Sequence, residues 1–229
     1  GEGTPRSYVT GERLTGTAQV LQELLPDLSS KQIESVQDID RLLSGYPALE
    51  TAPSARCALE LALLDLLGKN QNRPALHMLG APQVENIVYS AVVSGESPEK
   101  VTKIAQQLAT MRIRQVKLKV GSDRETNREN IRVMRETLGE DLDIRVDANA
   151  AWALDEAVAH ISALVDLGVY FVEQPLSAGD RNVWPALQAR LPETAQVYVD
   201  ESVCSLEDAR WLAERGAVSG FNLKISKHC

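Results

Sequence analysis

The sequence is poor in cysteine. Its three, Cys57, Cys204 and Cys229, are scattered without a CxxC pair, so neither a disulfide framework nor a zinc site is indicated. A reducing, cytoplasmic setting is the natural expectation. Basic residues are also outnumbered, with 24 Lys and Arg against 32 Asp and Glu and a net charge of -8. That balance opposes nonspecific attraction to nucleic acid or anionic lipid. No apolar run reaches the roughly 18 residues needed to cross a bilayer, and the N-terminus has no charged-then-apolar signal pattern. Because the chain starts at Gly1 rather than Met, a missing leading segment is expected. Low-complexity stretches are absent too. What remains is a 229-residue chain, 44% hydrophobic and 24% charged, able to bury a substantial globular core.

Two regions follow one another. From about residue 16 to 79, apolar residues return every three or four positions in LTGTAQVLQELLPDL, in SSKQIESVQDIDRLLSGY and in APSARCALELALLDLLGKNQ. This spacing predicts a small helical subdomain, its third helix opened by Pro53 and Ser54 and closing near Gly68. His77 reads as a packing or capping residue. After GAPQ the rhythm changes to strand and helix in alternation. Strands are expected at 86–93, 115–121, 142–149, 169–175, 196–202 and 219–226, with helices at about 98–111, 123–138, 153–167, 180–190 and 205–215. Repeats of this length with apolar strands call for an α/β fold, a parallel sheet covered by helices.

In QVKLKVG, Lys117 and Lys119 share one face of a strand while Val116, Leu118 and Val120 take the other. Taken alone, this segment fits equally an edge strand with a solvated lysine face. The later strands favour a site. IRVDAN sets Asp147 and Asn149 on the face of Arg145, YFVEQP sets Glu173 with Phe171, and VYVDES sets Asp200 with Tyr198. Three successive strands end in an acid, and a parallel barrel gathers such ends around one mouth. Any one acid could simply cap a helix or turn. Three converging carboxylates repel and require a cation; all-oxygen ligands favour a hard ion, and Mg²⁺, which keeps waters and substrate oxygens in its shell, suits an open catalytic site better than Ca²⁺. In FNLKISK, alternation puts Asn222, Lys224 and Ser226 on one face and so aims a third lysine at the mouth.

With KLK at 117–119, DAN at 147–149, EQP at 173–175, DES at 200–202 and LKISK at 223–227, the chain resembles the enolase superfamily, specifically its muconate-lactonizing-enzyme subgroup. The intervals agree as well: 28 residues from Lys119 to Asp147, 26 to Glu173, 27 to Asp200 and 24 to Lys224. The resemblance implies a modified TIM-type (β/α) barrel, truncated here to six strands over residues 81–229. Residues 1–80 would be a partial α+β capping domain, with GEGTPRSYVTGE as the end of its N-terminal sheet. It implies that Asp147, Glu173 and Asp200 ligate Mg²⁺ and that Lys119 and Lys224 are an opposed acid/base pair. Lys117 would touch the substrate carboxylate and make Lys119 a better base. Asn149 and Glu201 would support the site from behind, alternation turning Glu201 away if Asp200 faces inward; Ser226 and Lys227 would lie close by in undefined roles. His160 and His228 match no catalytic position.

The activity so implied is removal of a proton beside a carboxylate through an enediolate, as the general chemistry of this superfamily has it. A racemase or epimerase of amino-acid derivatives or dipeptides comes first. A muconate-type cycloisomerase or an o-succinylbenzoate-type dehydratase would use the same residues. A Schiff-base lysine aldolase would need no acid triad, and a degenerate scaffold paralogue would not need the charged set. The partner expected is a small carboxylate substrate, with no nucleic acid and no membrane, in a homo-oligomer at full length. Two barrel strands and the start of the capping sheet are not visible, so the expectation is a piece of a longer protein, inactive and poorly stable by itself.

Overall fold

The computed structural model describes residues 1–81, 84, 86–179 and 181–228. Cys229, and the Asp180 at which one expected helix begins, lie outside the described residues. The chain divides into two compact units, Gly1–Asn86 with Leu223–Cys229, and Ile87–Asn222.

The first unit is helical. Its elements are α1 (Leu14–Leu28), α2 (Val36–Ser44), a 3₁₀ turn (Pro47–Leu49), α3 (Pro53–Asn70), α4 (Ala75–Met78) and α10 (Ile225–His228). Their start signals are local. Ser35 Oγ accepts from the Asp38 N–H while Asp38 Oδ2 accepts from the Ser35 N–H, a reciprocal pair that opens α2. Pro53 supplies the first residue of α3, and the Glu12 carboxylate accepts from the Ser54 N–H at 2.9 Å and the Ser54 hydroxyl at 2.7 Å. Leu28, Ile39, Leu43, Leu49, Leu59 and Leu67 close the core of this unit. Residues 1–12 form no strand, so the expected end of a sheet is not seen among the described residues; turns and extended chain run there instead. His77 is exposed in the last turn of α4.

The second unit holds β1 (Ala91–Val93), α5 (Pro98–Thr110), β2 (Gln115–Lys119), α6 (Arg124–Leu138), β3 (Asp143–Asp147) and α7 (Leu154–Asp166). It continues with β4 (Phe171–Glu173), α8 (Val183–Gln188), β5 (Gln196–Val199), α9 (Leu206–Glu214) and β6 (Gly220–Phe221). All six strands are parallel and stand in chain order. A doubly wound sheet reverses its strand order at a switch point; an unbroken sequential order with a helix after each strand is barrel architecture. Alternation sorts the faces. Val116, Leu118, Ile144, Val146, Val172, Val197 and Val199 are buried in one large core with residues of the covering helices.

The strands are shorter than their apolar patterns suggest. Ile87, Val88 and Tyr89, read as the start of the first strand, are outside it and more than 70% exposed. The sixth strand corrects a more consequential expectation. It ends at Phe221, after which the Asn222 N–H still donates to the Val199 carbonyl at 2.8 Å and the chain then turns. The Lys224 carbonyl accepts from the Lys227 and His228 N–H groups, and α10 packs against α3. Strand alternation therefore does not govern Lys224 or Ser226, and both belong to the first unit.

Candidate active site

Strand register builds the site. Lys119 is the partner of Asp147, Asp147 of Glu173, and Glu173 of Tyr198; one position earlier on the same face, Lys117 pairs with Arg145 and Arg145 with Phe171. Two lysines and two acids thus project from neighbouring strands onto one face. Asp200 lies two residues beyond Tyr198, and so on that side one step past the end of β5.

Asp147, Glu173 and Asp200 are each only 3% exposed. Lys117 reaches between the first two: its Nζ is 3.2 Å from Asp147 Oδ2, 3.0 Å from Glu173 Oε1 and 3.2 Å from Glu173 Oε2. Burial draws the Lys117 ammonium toward deprotonation, but attraction to Glu173 and Asp147 outweighs it and raises the group above the usual lysine range. Asn222 Nδ2 donates to Glu173 Oε1 at 2.6 Å. Lys119 Nζ donates to Asn149 Oδ1 at 2.9 Å, and the Asn149 N–H to Asp147 Oδ1 at 3.0 Å.

Glu201 departs from the alternation expected of it. The chain turns at 201–202, where strand alternation has ended, and the Glu201 carboxyl lies near enough to Asp200 and Asp147 to be repelled by them. Asn149 Nδ2 contacts its Oε1 at 3.4 Å, while Oε2 is buried with no hydrogen-bond partner. Burial raises the Glu201 carboxyl above its ordinary range, and repulsion from Asp200 and Asp147 adds to the rise.

Could this donor set hold a divalent cation? Three buried carboxylates, the half-buried carboxyl of Glu201 and the Asn149 amide oxygen supply oxygen donors, and one carboxylate oxygen of Glu201 is orphaned. That chemistry fits a hard cation. Among the described residues, no group of three or more His, Cys, Asp and Glu is arranged so that it could hold a metal ion. Mg²⁺ does not require such a cage, because it is commonly bound by one or two carboxylates with water and substrate oxygens completing the shell.

Two contributors were not legible as site residues. Alternation groups Asn222 with Lys224 and Ser226 and gives it no separate role, yet its amide donates to Glu173. Gln174 was only the middle of EQP; it is fully buried, with a positive φ of 40°. Beneath the acids, the Arg145 guanidinium lies 4.9 Å from the Phe171 ring centre, and Phe171 stacks on Tyr198 at 4.0 Å. Lys224, half-buried in the first unit, has its N–H directed to His228 Nδ1 at 3.1 Å. His160 lies outside the acid cluster, stacked on Trp152 at 4.3 Å.

Comparison with known proteins places these residues in context. Residues 1–80 match the family model described as the mandelate racemase / muconate lactonizing enzyme N-terminal domain, and residues 100–228 the one described as enolase C-terminal domain-like. The hydrophobic dipeptide epimerase of Enterococcus faecalis is 29% identical over 99% of this chain and 63% of its own length. Muconate cycloisomerase 1 of Pseudomonas putida is 33% identical over 76% of this chain and 46% of its own. The crystal structure of the dipeptide epimerase of Cytophaga hutchinsonii complexed with Mg and the dipeptide D-Ala-L-Val superimposes with a TM-score of 0.86 at 27% identity, covering 100% of this chain and 61% of that one. The chain thus spans less than two thirds of the length of each of these relatives.

Proposed function

This chain belongs to the mandelate racemase/muconate lactonizing enzyme family of the enolase superfamily, and from that premise we propose that the whole protein is a Mg²⁺-dependent racemase or epimerase of amino-acid derivatives or dipeptides. The observation that carries the proposal is the row of Lys119, Asp147 and Glu173 in register, with Lys117 ion-paired to both acids. It combines a base, a supporting cation and buried oxygen donors on one face. The dipeptide epimerase of Enterococcus faecalis and the Cytophaga hutchinsonii epimerase complexed with Mg and a dipeptide support the same reading.

Asp147, Glu173 and Asp200 would hold the metal. When bound, Mg²⁺ would supply a fixed positive charge for the substrate carboxylate, where negative charge grows as the adjacent proton leaves. Lys119 would take or return the α-proton at its Nζ, with Asn149 orienting the ammonium. Lys117 would offer a second positive charge to the same carboxylate, lowering the transition state more than the ground state. Lys224 would serve the opposite hand of the substrate; its assignment rests on the match of LKISK to the family motif. Glu201 would support the ligands together with Asn149, whose Nδ2 contacts it. A reducing cytoplasm suits the scattered cysteines, and no helix among the described residues is long and apolar enough to cross a membrane.

Muconate-type cycloisomerisation is the second reading, favoured by the 33% identity to the Pseudomonas putida enzyme. It would employ the same acids and lysines with a single proton transfer. A screen of dipeptides and N-acylamino acids, read by loss of optical purity with Mg²⁺ and with chelator, separates the two. Metal-dependent stereochemical inversion is the expected result. Conversion of muconate lactones without inversion of any amino-acid derivative would overturn the epimerase reading.

A further inference from the structure

The three strands that carry the acids are tied together at their ends by one residue. The Gln174 N–H donates to the Tyr198 carbonyl at 2.8 Å, and the Gln174 carbonyl accepts from the Ala150 N–H at 2.8 Å. Its side chain continues the tie. Oε1 accepts from the Asp200 N–H at 2.8 Å and the Ser202 N–H at 3.2 Å, while Nε2 donates to the Leu176 carbonyl and to Ser202 Oγ, both at 2.7 Å. An amide side chain offers two donors and two acceptor lone pairs, and here all four are engaged with no exposed surface. Its φ of 40° is unusual for a long side chain, and such a conformation persists only where its surroundings over-determine it.

The consequence falls on Asp200. Asp147 and Glu173 are placed by register within the sheet, whereas Asp200 lies one residue beyond the end of β5, its carbonyl accepting from the Val203 N–H at 3.1 Å. Its backbone N–H instead ends on the Gln174 amide, one residue from Glu173. We propose that Gln174 is the positioning residue that sets the separation of Asp200 from Glu173, and through it the preference of the site for Mg²⁺ over Ca²⁺. The inference rests on the metal reading given above. Mg²⁺ demands near-ideal octahedral geometry at about 2.0–2.1 Å, whereas Ca²⁺ accepts 6–8 ligands at about 2.3–2.6 Å in flexible arrangements. Loosening one ligand therefore penalises the smaller ion more.

Calorimetric titration of Mg²⁺ and Ca²⁺ into the whole protein and its Gln174→Gly variant tests this. Glycine removes the amide without forcing another side chain into the positive φ. The expected result is a Mg²⁺ dissociation constant raised about 10- to 100-fold, the usual effect of losing a residue that orients a ligand, with that of Ca²⁺ changed less than about 3-fold. Ser202→Ala removes only the hydroxyl partner and should shift the Mg²⁺/Ca²⁺ ratio in the same direction by less; it decides the matter if Gln174→Gly does not fold. Equal weakening of both ions, or an unchanged ratio in a folded variant, overturns the proposal while leaving the metal reading intact. Wild-type protein that binds neither ion contradicts the metal reading itself.

Discussion

Lys117 Nζ stands 3.0 Å from Glu173 Oε1 although the two residues belong to strands separated by β3. The lysine spans the intervening strand by passing Asp147, which it also contacts at 3.2 Å. Each acid is almost fully buried, and the Lys117 ammonium contacts both. Replacing Lys117 by Met keeps much of the apolar stem but leaves two buried carboxylates uncompensated.

Lys117→Met is therefore expected to lower unfolding stability by roughly 3 kcal/mol, the scale for removing one partner of a buried pair. Added Mg²⁺ should restore more stability to the variant than it adds to wild type. Urea denaturation with and without Mg²⁺ measures both effects. An unchanged midpoint in the variant would show that the acids are stabilised from elsewhere.

A second expectation concerns Gly220, the register partner of Tyr198. A Cβ at this position would come within 2.4 Å of Tyr198 Cε1 and 2.9 Å of its Cδ1. Tyr198 is in turn stacked on Phe171 and paired in register with Glu173, so it has little room to yield. Gly220→Ala should cost about 1–3 kcal/mol by overpacking and weaken metal binding as the floor of the site shifts. Thermal melting and Mg²⁺ titration of this one variant check both parts. Wild-type values in both would mean that Tyr198 moves freely.

Asp147, Glu173 and the first two lysines are legible because strand alternation is a strict two-residue rule. Lys117, Lys119, Asp147 and Glu173 lie inside paired strands, where that rule applies. It fails where pairing stops. Glu201 lies in a turn, so its side chain rejoins the acids; Lys224 follows the last paired residue, Phe221, by three positions. Strand ends were overextended for the same reason, since apolar residues such as Ile87 and Val88 satisfy the pattern without a neighbouring strand to bond. The helices of the second unit came closer, because Ser97, Asp123 and Ser205 mark their starts chemically. Gln174 left no comparable signal: a glutamine between Glu and Pro says nothing about which backbone groups its amide will meet.

His160 provides a pH test. Burial, with repulsion from Arg124 adding to it, holds the imidazole below its ordinary value of 6.5. The unfolded chain then binds the proton more readily than the folded one. Stability is accordingly complete above about pH 6.5 and declines as the pH falls from there toward the folded value. His160→Phe keeps a ring to stack on Trp152 and removes the titration. Urea midpoints at about pH 7.5 and about pH 5.5 should differ less in the variant than in wild type. An identical pH response in both proteins would exclude His160 as its source.

The central claim is proton abstraction beside a carboxylate, with one lysine for each hand of the substrate. Its most direct measurement is NMR-monitored exchange of the α-proton in deuterated water, with Mg²⁺ and each stereoisomer of an accepted dipeptide or acylamino acid. Wild-type protein should exchange both isomers. Lys119→Ala and Lys224→Ala should each lose net inversion yet still exchange one isomer, a different one in each variant. Exchange of both isomers persisting equally in the two variants would contradict the account.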